Sequence, residues 1–97
     1  MMKYSNNKKL NGLLNEIESD LLEMGRDEVA RYVAEFPRRV AIDHNIAMYG
    51  NVLVYYSDIR ELYARNGYKT PARWSDAKLW ETYRRQVGYV ARAIVRG

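Results

Sequence analysis

The residues best suited to chemistry are basic ones near the C-terminal end of the chain. At about 100° per residue, a helix there brings most of them to one side, where arginine and lysine can bind phosphate or carboxylate groups. We call this surface the basic face. It consists of five basic residues and one tyrosine beside them, namely Lys78, Arg84, Arg85, Arg92, Arg96 and Tyr89, with Arg84 at the margin. Like charges on one helix repel weakly, and an anionic partner would relieve that repulsion. The pattern predicts an anion-binding or partner-binding surface, with a plainly solvated helix face as the alternative.

Gly88 lies in the middle of the same predicted helix. A glycine in a helix interior costs about 1 kcal/mol relative to alanine, so its presence there indicates a specific use. Together with Ala91 it forms a patch of small residues. We expect a close approach at this patch, first by a neighbouring helix of the same chain and otherwise by a symmetry mate or a ligand.

A second set of candidate residues is aromatic. Tyr49, Tyr56 and Tyr63 repeat every seven residues, which is typical of a core or subunit seam. Tyrosine also supplies contact area at low entropy cost, so these residues, with Tyr55 and Trp74, form a predicted interface set. Trp74 follows Arg73 and could stack a nucleic-acid base beside it, although such a tryptophan more often covers the edge of a core.

Catalytic chemistry has little support in the sequence. His44 follows Asp43, but there is no cysteine and no second histidine, and no serine or phosphate-loop motif accompanies the pair. We therefore predict a protein that is not an enzyme and that has no cofactor and no metal site.

Charge is divided unevenly along the chain. Residues 1–48 carry 7 Lys and Arg against 8 Asp and Glu, whereas residues 49–97 carry 9 against 4, so a net −1 and a net +5 make up the total of +4. Seven of the nine tyrosines and both tryptophans also lie in the second part. A length of 97 residues fits one domain, predicted as a single helical domain over residues 1–97. The lack of cysteine and of a long apolar run predicts a cytoplasmic protein with no membrane association.

Hydrophobic periodicity predicts helices at both ends of the chain. In "LNGLLNEIESDLLEM" apolar residues recur at the 3, 4 and 7 spacing of an amphipathic helix, and "RDEVARYVAEF" resumes in phase after Gly25. Two helices or one kinked helix fit equally well. The order Asn66, Gly67, Tyr68 predicts a helix stop, and Ser75 is the expected N-cap of the long last helix.

The middle of the chain is ambiguous between helix and strand. "NVLVYY" is β-branched and aromatic, yet a helical stripe also runs through it. We favour a helix over Val52 to Tyr56 because a single short strand would lack a partner other than "RRVAIDHNI". In the strand alternative, Ser57 would cap a new helix. The predicted fold is thus all-α, a small bundle of three to four helices with a long C-terminal amphipathic helix, and the alternative is α+β with a short hairpin around residues 38–56.

Two functions fit these features. The first is a non-enzymatic protein-binding module of the inhibitor or adaptor type, which engages an acidic protein partner through the tyrosine-rich helix and the basic face. The tyrosine seam would also suit a homodimer of this module. The second is a nucleic-acid or nucleotide binder that uses the basic face on phosphates. In size and in its basic, tyrosine-rich composition the chain resembles accessory proteins of phages and mobile elements, including inhibitors of host defence. That resemblance assigns no role to any residue.

Overall fold

The computed structural model describes residues 4–35, 41–42, 45–49, 52–68 and 74–97, which contain four helices and three short strands. The helices are α1 (Lys8–Met24), α2 (Arg26–Glu35), α3 (Tyr56–Arg65) and α4 (Asp76–Arg96). The strands are β1 (Ala41–Ile42), β2 (Ile46–Tyr49) and β3 (Val52–Tyr55). The prediction of a small helical bundle with a long C-terminal amphipathic helix is confirmed.

The first two helices are separate, which decides between the two alternatives left open by the sequence. Asn7 caps α1, and its side chain accepts a hydrogen bond from the backbone N–H of Leu10 at 3.1 Å. Gly25 ends α1 with φ 93°, in the left-handed region that favours glycine. Asp27 and Glu28 then lie in the first turn of α2, where negative charge is favourable.

The segment before α3 is a small antiparallel sheet in the order β1-β2-β3. The expected helix over Val52 to Tyr56 is therefore wrong, since Val52 to Tyr55 form a strand and only Tyr56 is helical. The premise that a strand would lack partners fails because Ile46–Tyr49 pairs with it in register, with Ile46 opposite Tyr55 and Tyr49 opposite Val52. The hairpin alternative describes this segment correctly, with a third strand added to it.

The ends of α3 follow local backbone chemistry. Its N-cap is Tyr55, which makes no side-chain capping bond, so Ser57 is not the cap that the strand alternative suggested. At the other end Gly67 has φ 85°, and the backbone N–H of Tyr68 donates to the carbonyl of Tyr63 at 2.9 Å. The predicted helix stop is confirmed.

The core lies among the four helices. Every fully buried apolar side chain in the described part of the chain belongs to a helix, and α4 contacts each of the other three. Its buried side consists of Leu79, Trp80, Tyr83, Val87, Val90, Ala91 and Ile94. Tyr63 is buried in the same core, and this burial raises the pKa of its hydroxyl to about 12, so the group stays neutral. Burial of these side chains determines which residues of α4 face outward.

Replacing Ser75 with alanine tests how α4 begins. The Ser75 hydroxyl oxygen accepts from the backbone N–H of Lys78 at 3.2 Å, and we expect Ser75→Ala to lower the free energy of unfolding by about 1 kcal/mol. Urea unfolding followed by circular dichroism measures the change. Ser57→Ala is the matched control and should cost less than about 0.5 kcal/mol. An equal loss in both variants would contradict this assignment of the caps.

Candidate functional site

The basic face lies on the outward side of α4. Lys78, Arg85, Tyr89, Arg92 and Arg96 are exposed, and Arg84 at the margin is partly buried. At 1.5 Å per residue the line from Lys78 to Arg96 is about 27 Å long. The sequence-based grouping of these residues on one side is thus reproduced in the fold.

Three arginines of this face surround a small depression. It has a volume of about 180 Å³ and is lined by Arg84, Arg85, Gly88 and Arg92, and we call it the arginine niche. A Cβ placed on Gly88 would have as its three nearest neighbours atoms of the Arg92 guanidinium, the closest at 3.6 Å. The nearest atoms thus belong to an arginine of the same helix, while Gly88 also lines a small cavity with Tyr32 and Val33 of α2. Gly88 is buried, and its missing side chain allows the Arg92 guanidinium to lie close to it.

A carboxylate lies beside the niche. Glu81 Oε1 accepts a hydrogen bond from Arg84 Nη2 at 3.1 Å and lies 3.6 Å from Arg85 Nε. The hydrogen bond from Arg84, followed by the charges of Arg84 and Arg85, lowers the pKa of Glu81 below its ordinary value. Glu81 is thus ionised at neutral pH and orients two of the three guanidinium groups.

Tyr89 is held at the edge of the basic face by Tyr4. The two rings meet edge to face, with centroids 5.9 Å apart and planes at 65°, while Tyr89 remains 46% exposed. Tyr4 is itself fixed, because its hydroxyl donates to Glu18 and its backbone N–H donates to Asn11 Oδ1 at 2.6 Å. Burial and the contact with Glu18 raise the pKa of the Tyr4 hydroxyl. Sequence reasoning missed Tyr4, because this residue precedes the first helix and belongs to no periodic pattern.

The predicted tyrosine interface is not brought together. Tyr56 and Tyr63 are both 4% exposed and lie in the core, whereas Tyr49 belongs to β2. The seven-residue spacing therefore does not trace one helical seam, because it crosses from a strand into α3. Tyr55 is the exception, being 49% exposed at the end of β3.

Trp74 covers the edge of the core, as the alternative for this residue expected. It is partly buried, and Arg60 Nη2 donates both to its carbonyl at 3.1 Å and to Asp76 Oδ1 at 3.3 Å. The cation above its ring is Lys78, whose Nζ lies 5.4 Å from the ring centroid. Arg73 and the Asp43 and His44 pair lie outside the described residues.

A second concave surface was not anticipated from the sequence. It is a groove of about 630 Å³ between α1, β3 and α3, and we call it the acidic groove. Its rim carries the carboxylates Asp20, Glu23, Asp58 and Glu61, together with Arg65 and the exposed Leu53, and its floor is formed by Met24, Val54, Ile59, Leu62 and Tyr83. Burial first, and then the charges of Glu23 and Glu16, raise the pKa of Asp20 above its usual range.

One signal for this groove is visible in retrospect. Asp20 and Glu23 on α1, and Asp58 and Glu61 on α3, are two acidic pairs with the same i, i+3 spacing, which puts each pair on one helix face. The two pairs are far apart along the chain, so their spacing does not reveal that both helix faces flank the same groove.

Comparison with protein families, curated proteins and solved structures found no match to this chain. None of the described helices is long and apolar enough to cross a membrane. Within the described ranges, no three His, Asp or Glu side chains are grouped so that they could hold a metal ion.

Replacing Gly88 with alanine tests the geometry of the niche. An alanine Cβ would make only ordinary contact with Arg92, so Gly88→Ala should raise the free energy of unfolding by about 0.5 to 1 kcal/mol in urea titrations. A loss of about 1 kcal/mol or more would instead indicate a tightly packed neighbour.

Gly12→Ala in α1 is the matched control. There a Cβ would lie 2.9 Å from Asn66 Oδ1, and the Asn66 amide is fixed by hydrogen bonds to Glu16 and to the Leu62 carbonyl. We expect this variant to gain less stability than Gly88→Ala, or to lose some, because the clash offsets the helix preference of alanine.

Proposed function

We propose that this chain is a small non-enzymatic binding protein that engages an acidic protein partner through the basic face of α4. The observation that carries the proposal is the arginine niche, which is lined by Arg84, Arg85 and Arg92 around Gly88. Arginine binds carboxylates through paired, charge-assisted hydrogen bonds, and a niche of about 180 Å³ has room for an Asp or Glu side-chain carboxylate of the partner.

Tyr89 supplies the apolar part of this surface. Its ring is half exposed beside the arginines and is already oriented by Tyr4, so little side-chain freedom would be lost on binding. Tyrosine and arginine are the residue types enriched among those that dominate binding energy at protein interfaces. The charges around it would steer an acidic partner and set its orientation, as an inhibitor or adaptor requires.

The tyrosine-rich helix that the sequence predicted as a contact surface has no such role in this proposal. With Tyr56 and Tyr63 in the core, Tyr55 is the remaining member of α3 and β3 that offers an exposed ring. The same burial removes the basis for expecting a homodimer through a tyrosine seam. We therefore propose one copy of the chain as the binding unit.

Nucleic acid is the alternative partner, and the line of basic residues about 27 Å long along α4 favours it. Glu81 favours a protein instead. Its ionised carboxylate lies within the face, next to Arg84 and Arg85, where it would repel a continuous phosphate backbone. A protein surface of mixed charge can place its own cation or hydrogen-bond donor opposite Glu81, which a phosphate chain cannot do.

Selection from a phage-displayed library of random peptides against the immobilised chain tests the proposal. We expect the selected peptides to be rich in Asp and Glu and to carry an apolar residue as well. Arg85→Gln combined with Arg92→Gln should lower the affinity of the protein for these peptides about tenfold or more in anisotropy titrations. Lys8→Gln combined with Arg31→Gln removes the same charge from exposed positions on α1 and α2 and should change the affinity less than about twofold.

Anisotropy titrations also distinguish a protein partner from a nucleic-acid partner. Labelled single-stranded DNA, duplex DNA and RNA are titrated at about 50 mM and about 150 mM salt, and the proposal expects their binding to disappear at the higher value. Nucleic-acid binding that persists there and is lost in the double arginine variant would replace the protein partner with nucleic acid.

A further inference from the structure

The acidic groove combines an apolar floor with a negative rim. Arg65 is the single basic residue among the described residues that line it, and its guanidinium is engaged by Glu16 at 2.7 Å and by Glu61 at 3.9 Å. Asp20, Glu23 and Asp58 are left as the carboxylates facing an entering group. A volume of about 630 Å³ is within the range of sites that hold ligands or peptide segments.

The groove follows the outer edge of the sheet. Leu53 and Val54 both line it, although consecutive residues of a strand direct their side chains to opposite faces. A cavity lined by two successive residues of β3 runs beside that strand and is not confined to one face of the sheet. Since β2 pairs with one edge of β3, the groove follows the other edge, where alternate N–H and C=O groups of an antiparallel strand point away from the sheet.

A tyrosine hydroxyl also belongs to the floor of the groove. Tyr83 lines the groove, and only 8% of this residue is exposed. Burial and the nearby Asp20 raise its pKa, so the group remains a neutral donor. This hydroxyl can donate a hydrogen bond to a backbone carbonyl of an entering chain.

We propose that the acidic groove binds an extended basic segment of a protein partner, which adds to the sheet as a fourth strand beside β3. Main-chain hydrogen bonds to the outer edge of β3 would hold the segment, as in other cases of strand addition. Its alternate side chains would divide between the two parts of the groove: lysine or arginine toward Asp20, Glu23 and Asp58, and apolar side chains toward the floor. This site lies apart from the basic face and does not depend on its proposed role.

A labelled octapeptide of alternating lysine and valine is the probe, with an alternating glutamate and valine octapeptide as its counterpart. By fluorescence anisotropy we expect the lysine peptide to bind at least about tenfold more tightly. Asp20→Asn combined with Glu23→Gln should lower the affinity for the lysine peptide about fivefold or more. The control is Asp27→Asn combined with Glu28→Gln, which makes the same charge change on α2 and should alter this affinity less than about twofold.

Backbone methylation distinguishes strand addition from simple charge attraction. A lysine and valine peptide that is N-methylated at alternate residues keeps its charge but loses the donors needed for pairing, so its affinity should fall about tenfold or more. Equal affinity of the methylated peptide, or unchanged affinity in the Asp20 and Glu23 variant, would overturn the proposal. The Arg85 and Arg92 double variant should bind the lysine peptide as before, which separates failure here from failure at the basic face.

Discussion

Burial of one side of α4 is the interaction on which the rest of the structure depends. Trp80, Leu79 and Val90 are fully inaccessible to solvent, and the helix that carries them contacts α1, α2 and α3. Burying a large apolar side chain contributes about 1.5 to 3 kcal/mol, so this helix side supplies a large part of the driving force for folding. Its opposite side cannot turn inward without giving up that burial. The basic face is therefore presented by a rigid scaffold and not by a loop.

The two concave surfaces differ in the way the chain builds them. The arginine niche is local, because four residues within nine positions of one helix form it. The acidic groove is assembled from α1, β3, α3 and one tyrosine of α4, so it exists only when the whole bundle is folded. One face is positive and the other is negative, which suits a protein that contacts two different surfaces or two parts of one partner. Glu81 and Arg65 lie within faces of opposite charge, where they orient neighbouring side chains.

Much of the fold could be predicted because its signals are local. The break at Gly25, the stop at Gly67 and the cap at Ser75 each depend on a few neighbouring residues, and the basic face follows from helical periodicity. The sheet appeared only as the alternative, a hairpin around residues 38–56, because β3 depends on its pairing with β2 and four-residue strands carry too little pattern to reveal that pairing. The prediction of a tyrosine seam was wrong for the same reason, because the seven-residue spacing runs across a boundary between strand and helix. The groove required tertiary positions that no single stretch of sequence encodes.

Amide chemical shifts measured by NMR would test most directly whether the chain has two independent surfaces of opposite charge. Two titrations of the labelled protein are compared, one with an acidic peptide and one with a basic peptide. Our expectation is that the acidic peptide shifts the amides of Arg85, Gly88 and Tyr89, and that the basic peptide shifts those of Asp20, Leu53 and Glu61, with little overlap. Shifts of the same amides by both peptides, or shifts spread evenly over the bundle, would contradict it.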